Sequence, residues 1–404
     1  MHKYIEKLSA LLALTLTALC VQAAEPPLIL VSIDGFRPDY LNRGVTPNLN
    51  RLAAAGARAE AMRPSFPSIT YPNHYTLVTG MRPDHHGLVD NVMSDASIPG
   101  VQFKLGTDAV TDRRWWDQAE PVWVTAQRAG IRSAVLFWPG AEAAIHGVRP
   151  AMAPHYDGSM AAMQRADTLL SWLDQVPAQR FGFLALYFED VDHAGHTFGP
   201  EAAQTTQAVA LVDQAIGRLL DGLSGRGIDA NLVIVSDHGM TPVSAERVIR
   251  MDALAPQGSY RAVTNGPYAA MEATPGQEAQ LAAALLQPQQ HMQCWRKAGI
   301  PARLAYGRNA RVPGFFCLAD PGWFIAFDDG AAARVKGGKH GYDNAAPDMA
   351  ALFIAVGPAF KPGVVLPVFD NVDVYPLLMG LLGVPPLPSD GTITSLLPAL
   401  LPKK

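Results

Sequence analysis

The sequence predicts an α/β protein: a mainly parallel sheet flanked by helices, with an inserted α+β segment. Three observations lead there. Continuous apolar runs of strand length alternate with amphipathic helical patterns, as parallel strands joined by crossover helices do. Several of those runs end at once in acidic residues, as expected where strands deliver their carboxyl ends to a ligand edge. From about Met251 to Val335 the rhythm breaks into short segments with many turns, and it returns from Ala351.

In chain order, Leu28 to Ile33 is the first apolar run and ends at Asp34-Gly35, which reads as a buried strand with a carboxylate at its edge. Thr46-Pro47 starts a helix through Leu52 that Gly56 stops. Val122 to Ala129 reads as helix and Ile131 to Phe137 as strand, closed by Trp138-Pro139-Gly140. A helical pattern from Met160 to Leu173 leads to the strand Phe181 to Phe188, followed by Glu189, Asp190 and Asp192. After Pro200 comes a long helix with Ala208, Leu211, Val212, Ala215, Ile216, Leu219 and Leu220 on one side. Asn231 to Ser236 is a further strand, ending at Asp237-His238. Ala351 to Val356 and a helix from Val372 to Leu382 complete the pattern. The expected organisation is a core of residues 25–250 and 336–404, interrupted by a subdomain at 251–335.

The chain has 404 residues, a formal charge of −4 and 49% apolar content, ample for a large core. Nothing basic enough for a nucleic-acid coat is present, and acidic runs are absent. Lys3 and Lys7 precede an apolar run from Leu8 to Val21, then Gln22-Ala23-Ala24. That is the layout of a secretory signal over residues 1–24, so a periplasmic or extracellular protein is expected. The run is short for a membrane span, and Leu19 before Cys20 is too large for a typical lipoprotein processing site. A released monomer without a stable membrane anchor follows. Only Cys294 and Cys317 then remain, a pair expected to be bridged in an oxidising compartment.

The chemistry centres on Thr70-Tyr71-Pro72-Asn73-His74. Pro72 sits near the first position of a short helix closed by Gly80. Thr70 is thereby placed at a helix N-terminus, where free N–H groups favour an anion. On this segment alone an ordinary N-cap threonine is the better reading, and the rest of the chain overturns it. Asp34, Asp192, His196, Asp237, His238 and His340 all lie where strands or turns meet the ligand edge. Asp192 and His196 are one helical turn apart. Each alone reads as a loop cap or surface histidine. Together, these carboxylates and imidazoles match the ligand chemistry of zinc, and they are too many for one four-coordinate ion. They suit two, with positions left for substrate.

At these motifs the chain resembles the nucleotide pyrophosphatase/phosphodiesterases of the alkaline phosphatase superfamily. The matching segments are Ser32-Ile33-Asp34-Gly35-Phe36-Arg37, Thr70-Tyr71-Pro72-Asn73-His74-Tyr75 and Gly87-Leu88-Val89-Asp90-Asn91. Glu120 to Ala126, Phe137-Trp138-Pro139-Gly140, Asp192 to Pro200, Ser236 to Met240 and His340-Gly341-Tyr342-Asp343-Asn344 continue the match in order. The resemblance implies an alkaline-phosphatase-like core and two zinc ions per chain. Asp192, His196 and His340 would hold one; Asp34, Asp237, His238 and the Thr70 hydroxyl would hold the other. Thr70 would be the nucleophile of a phosphothreonine mechanism. Asn91 and the Tyr71 N–H would hold a phosphoryl oxygen, and Tyr71 and Tyr156 would sandwich a nucleobase.

The substrates implied are small-molecule nucleotide diesters and phosphoanhydrides, cleaved to nucleoside monophosphates. Many nucleotide-cleaving members carry Lys before the nucleophile, where this chain has Ile69. That departure leaves room for a lipid-headgroup or choline diester. A monoesterase of the same superfamily should present a cationic group where Asn91 stands. A non-catalytic envelope binding protein would not need the full ligand set.

Overall fold

The computed structural model describes residues 25–176 and 179–402; the secretory segment read at residues 1–24 lies outside them. In chain order the core runs β1 (Leu28–Ile33), α1 (Pro47–Ala55), β2 (Ala57–Ala59), α2 (Thr70–Thr79), α3 (Val122–Arg128) and β3 (Ser133–Leu136). It continues with α4 (Ala162–Trp172), β4 (Phe183–Phe188), α5 (Asp190–Phe198), α6 (Ala203–Gly225) and β5 (Asn231–Val235). Next come β6 (Tyr260–Thr264), β7 (Tyr268–Ala273), α7 (Glu278–Leu285), β8 (Met292–Arg296) and β9 (Phe315–Ala319). The chain closes through β10 (Phe353–Val356), β11 (Val364–Leu366) and α8 (Val374–Leu381).

Seven strands form one sheet in the order β11-β2-β10-β5-β1-β4-β3. The pairs β1–β4, β1–β5 and β3–β4 are parallel, whereas β10 is antiparallel to both its neighbours. Strands β1, β4 and β5 are buried along their whole length, because helices cover both faces of the sheet. One face packs Leu28, Leu30, Phe183 and Val233 against α2 and α8. The other packs Ile29, Val31, Leu184 and Ile234 against α4 and α6. This alternation is the two-residue period of a strand between two layers.

The long helix α6 buries Ala208, Val212, Ala215, Ile216 and Leu219. Leu211, expected on the same face, is 49% exposed. At 100° per residue it sits about 90° round the helix from the centre of the stripe. Pro72 is the third helical residue of α2 rather than near the first. Its missing N–H is still harmless there, because the first four donors of a helix have no internal partner.

Strands β6 to β9 form a separate antiparallel sheet, in the order β6-β7-β9-β8. Its two faces serve different cores. Tyr268, Ala270, Phe316 and Leu318 join the core around α2, while Ala269, Met271 and Cys317 pack with Leu281 and Leu285 of α7. Cys294 faces Cys317 in register across β8 and β9, and a disulfide joins them. No helix among the described residues is long and apolar enough to cross a membrane.

Candidate active site and its metal-ligand clusters

The carboxyl ends of β1, β4 and β5 bring Asp34, Asp192 and Asp237 together. Gly35 makes this packing possible. It has a φ of +68°, and a Cβ there would lie 3.1 Å from Asp192 Cα and Cβ. Its N–H donates to Asp237 Oδ1 at 3.1 Å, tying the ends of β1 and β5. Asp34 Oδ2 accepts from the Tyr187 hydroxyl at 2.6 Å.

The outer cluster is built from α5 and the turn before β10. His196 Nε2 and His340 Nε2 lie 3.0 Å apart, and Asp192 Oδ1 is 3.5 and 3.6 Å from them. The other ring nitrogens are committed: His196 Nδ1–H donates to Gly338 O at 2.9 Å, and His340 Nδ1–H to Ser68 O at 3.1 Å. Both Nε2 lone pairs therefore face the Asp192 carboxylate, the orientation that a second hydrogen bond imposes on a metal-binding histidine. Burial, then the His238 and His196 rings, push the His340 pKa well down, so it stays a neutral donor.

The inner cluster joins Asp34, Asp237, His238 and Thr70. His238 Nδ1–H donates to Gly239 O at 3.0 Å. Its Nε2 lies 2.9 Å from Asp237 Oδ2, 3.5 Å from Asp34 Oδ1 and 3.3 Å from Thr70 Oγ1. The rings of His238 and His340 stack at 3.6 Å, so the two clusters share a wall. Burial, then the Asp237 and Asp192 carboxylates, push Asp34 well above the usual carboxylate range. For Asp237 burial works upward too, but His238 and His74 outweigh it and hold the group below the usual carboxylate range.

Asp34 Oδ1, Asp192 Oδ1 and Asp237 Oδ2 are buried without a hydrogen-bond partner. Unpaired carboxylate oxygens converging in a dry site are costly unless a cation offsets them. With imidazole lone pairs beside them, the donor set fits two divalent cations. Grouping by distance alone places His74 beside Asp34 and Asp237, and His238 with Asp192 and His340. The hydrogen bonds decide His74 differently. Its Nδ1–H donates to Thr70 O at 2.8 Å, and its Nε2 accepts from the Ser32 hydroxyl at 2.9 Å. Neither nitrogen is left for a metal, so His74 anchors α2 beneath Thr70. Sequence reasoning passed over this histidine, although its i+4 offset from Thr70 was a usable signal.

Thr70 is the first residue of α2, 7% exposed, with Ile69 before the helix start. Beside it, the Tyr71 N–H donates to Asn91 Oδ1 at 3.0 Å. This modifies the expected pair of phosphoryl donors. The Tyr71 N–H is engaged by Asn91, and among the described residues Asn91 Nδ2 is left without a protein partner.

Tyr156 is 51% exposed, not packed in the core. Its ring meets Phe137 edge-on at 5.3 Å, and its N–H donates to Glu142 Oε1 at 2.9 Å. Its hydroxyl is pushed up to about 12 by burial and then by Glu189. Tyr71 instead rests on the core, edge-on to Phe103 at 5.8 Å. Arg165, 1% exposed on α4, grips Glu189 with two guanidinium nitrogens and donates to Tyr187 O at 2.9 Å. Glu142 and Arg165 were not anticipated, and nothing local in their sequence marks them; Glu189 was read only as an acid at the end of a strand, without this role.

The model of the type I phosphodiesterase / nucleotide pyrophosphatase family matches residues 28–343. Rat ectonucleotide pyrophosphatase/phosphodiesterase family member 3 is 35% identical over 385 residues, covering 92% of this chain but 44% of the relative. The chain thus spans less than half the length of that relative. An uncharacterized pyrophosphatase/phosphodiesterase of Schizosaccharomyces pombe is 38% identical over 391 residues, covering 92% of this chain and 79% of the relative. Among solved structures, murine ectonucleotide pyrophosphatase/phosphodiesterase 5, an inactive threonine-to-alanine variant in complex with AMP, superposes with a TM-score of 0.89. It is 33% identical, and the match covers 93% of this chain and 100% of that one. On its matched length, its fold and its relatives, the chain belongs to the type I phosphodiesterase/nucleotide pyrophosphatase family.

Proposed function

We propose that this chain is a two-zinc phosphodiesterase and nucleotide pyrophosphatase that releases nucleoside monophosphates through a phosphothreonine intermediate at Thr70. The observation that carries the reading is Thr70 Oγ1, at the start of α2 and 3.3 Å from His238 Nε2, which itself lies 2.9 Å from the unpaired Asp237 Oδ2. Asp192, His196 and His340 would hold one ion, and Asp34, Asp237, His238 and Thr70 the other. When bound, the ions would make the Thr70 hydroxyl ionisable near neutral pH and offset phosphoryl charge.

The chain's own groups do the rest. Thr70 Oγ attacks phosphorus as the bond to the departing oxygen breaks, and water then displaces Oγ, restoring threonine. Asn91 Nδ2 donates to a non-bridging oxygen whose charge grows in each step. Tyr156, with Tyr71 on the core side, flanks the base. AMP in the murine relative supports a nucleotide as the substrate class.

We also propose residues 25–250 and 336–404 as the catalytic core and 251–335 as an inserted subdomain, which the separate antiparallel sheet supports. Secretion of a monomer remains part of the proposal. A base-free headgroup or choline diester is the second reading, favoured by the buried apolar Ile69 beside Thr70. The neutral Asn91 speaks against a monoesterase. Thr70→Ala should abolish turnover with the fold intact, and Thr70→Ser should keep part of it. A panel of ATP, a nucleotide aryl diester, glycerophosphocholine and an aryl monophosphate ranks the substrate classes. Most activity surviving in Thr70→Ala would remove the covalent mechanism.

A further inference from the structure

The loop that ends in Asn91 is held, anchor after anchor, by residues 264–311. Asp84 accepts the N–H groups of Gly307, Arg308 and Asn309 at 3.0, 2.7 and 3.2 Å. Arg311 donates to Gly87 O at 2.8 Å, and the Tyr306 hydroxyl to Val89 O at 3.0 Å. Asp90, 4% exposed, is the last anchor. Its Oδ2 accepts from the Tyr268 hydroxyl at 2.8 Å and the Thr264 hydroxyl at 3.0 Å. Its Oδ1 accepts the Val92 N–H at 3.0 Å. The next residue is Asn91, bonded to the Tyr71 N–H beside Thr70.

We infer that Asp90, Thr264 and Tyr268 form a positioning clamp through which the antiparallel sheet sets the Asn91 amide against the phosphoryl group. The inference rests on the proposed role of Asn91. Asp90 sits where few other partners exist: the Tyr268 ring lies stacked on Phe316 at 5.0 Å, within the apolar core. A buried carboxylate holds its hydroxyl donors tightly there, since leaving them means standing unpaired. Because Asp90 and Asn91 share a peptide bond, displacement of one moves the other. A donor aimed at developing phosphoryl charge is sensitive to such movement, since misplacement by about 1 Å can cost about a hundredfold in rate.

The test is a double-mutant cycle on the metal-loaded full chain. Tyr268→Phe and Thr264→Val, singly and together, are made in the native background and in Asn91→Ala. Turnover of a nucleotide aryl diester and the melting temperature are measured for each. In the native background the combined variant should lower kcat about tenfold, with KM changed by less than about twofold. In the Asn91→Ala background the same pair should cause no further fall. An equal fall in both backgrounds would mean that the hydroxyls only stabilise the fold, and would overturn the clamp; so would no fall in either. If Asn91→Ala alone leaves kcat unchanged, the role of Asn91 fails and takes the clamp with it, an outcome separate from the other two. Should the combined variant not melt cooperatively, Tyr268→Phe, which removes one oxygen atom, carries the comparison.

Discussion

The Tyr156 hydroxyl donates to Glu189 Oε1 at 3.0 Å, and the same carboxylate is gripped by the buried Arg165. A half-exposed ring is thus fastened at its far end to a core element. A wall of this kind can offer a face to a base without first losing rotamer freedom. Stacking on an aromatic face contributes roughly 1–3 kcal/mol per base. Tyr156→Ala should therefore lower kcat/KM for a nucleotide diester by about tenfold or more while sparing a base-free diester. Steady-state kinetics on both substrates checks this. Equal loss on both would make Tyr156 a packing residue.

Metal content is the second prediction. One carboxylate oxygen each of Asp34, Asp192 and Asp237 has no hydrogen-bond partner, and two clusters of donors surround them. Elemental analysis of the purified protein should give about two zinc per chain. Chelation should remove activity, and added zinc should restore it. Full activity with one tightly held ion would defeat the two-metal reading.

Asp90 makes a pH-dependent prediction independent of the metals. Burial raises its pKa to about 6, against the pull of the Val92 N–H and the Tyr268 and Thr264 hydroxyls. A carboxyl raised in the folded state stabilises fully below its unfolded value, about 3.9. That contribution is lost as pH rises through the folded value. Between about pH 4 and about pH 7, the native chain should lose roughly 2 kcal/mol relative to Asp90→Asn. Denaturant unfolding of both proteins at each pH measures the gap, and loss of metal at low pH is common to both. A pH-independent gap would show that Asp90 titrates normally.

The disulfide closes a sequence separation of 23 residues. Chain entropy alone gives such a loop a stabilisation of roughly 3 kcal/mol. Protein purified from an oxidising compartment should show no free thiol at Cys294 or Cys317 under denaturing conditions. Cys294→Ser with Cys317→Ser should unfold at lower denaturant. Two titratable thiols in the native preparation would contradict the bridge.

What the sequence made legible was whatever local pattern encodes. Apolar runs ending in Asp34 and Asp237 locate the ligand edge, because a buried strand and its polar exit are contiguous. Asp192 and His196 converge through one helical turn. Six apolar residues from Ala351 to Val356 announce a strand but not its direction, so the antiparallel β10 was not foreseen. Leu211 was misplaced because a leucine at the margin of a helical stripe scores like one inside it. The supports of the site are the least visible part. Asp90 meets Tyr268, and Arg165 meets Glu189, through the tertiary fold alone, and neither pair leaves a periodic trace.

Strand β5 lies between β1 and β10, and this has a consequence for synthesis. As the chain emerges, β1, β4 and β5 can assemble first, leaving β5 with an open, largely apolar edge. Its missing neighbour, residues 353–356, follows only after the whole antiparallel segment has been made. His340 arrives in the same late stretch. A nascent chain halted inside residues 251–335 would display an unpaired strand edge and an incomplete outer cluster, the kind of species that associates with copies of itself. Delay in that stretch, rather than slow formation of the first strands, is where this chain is most exposed to loss.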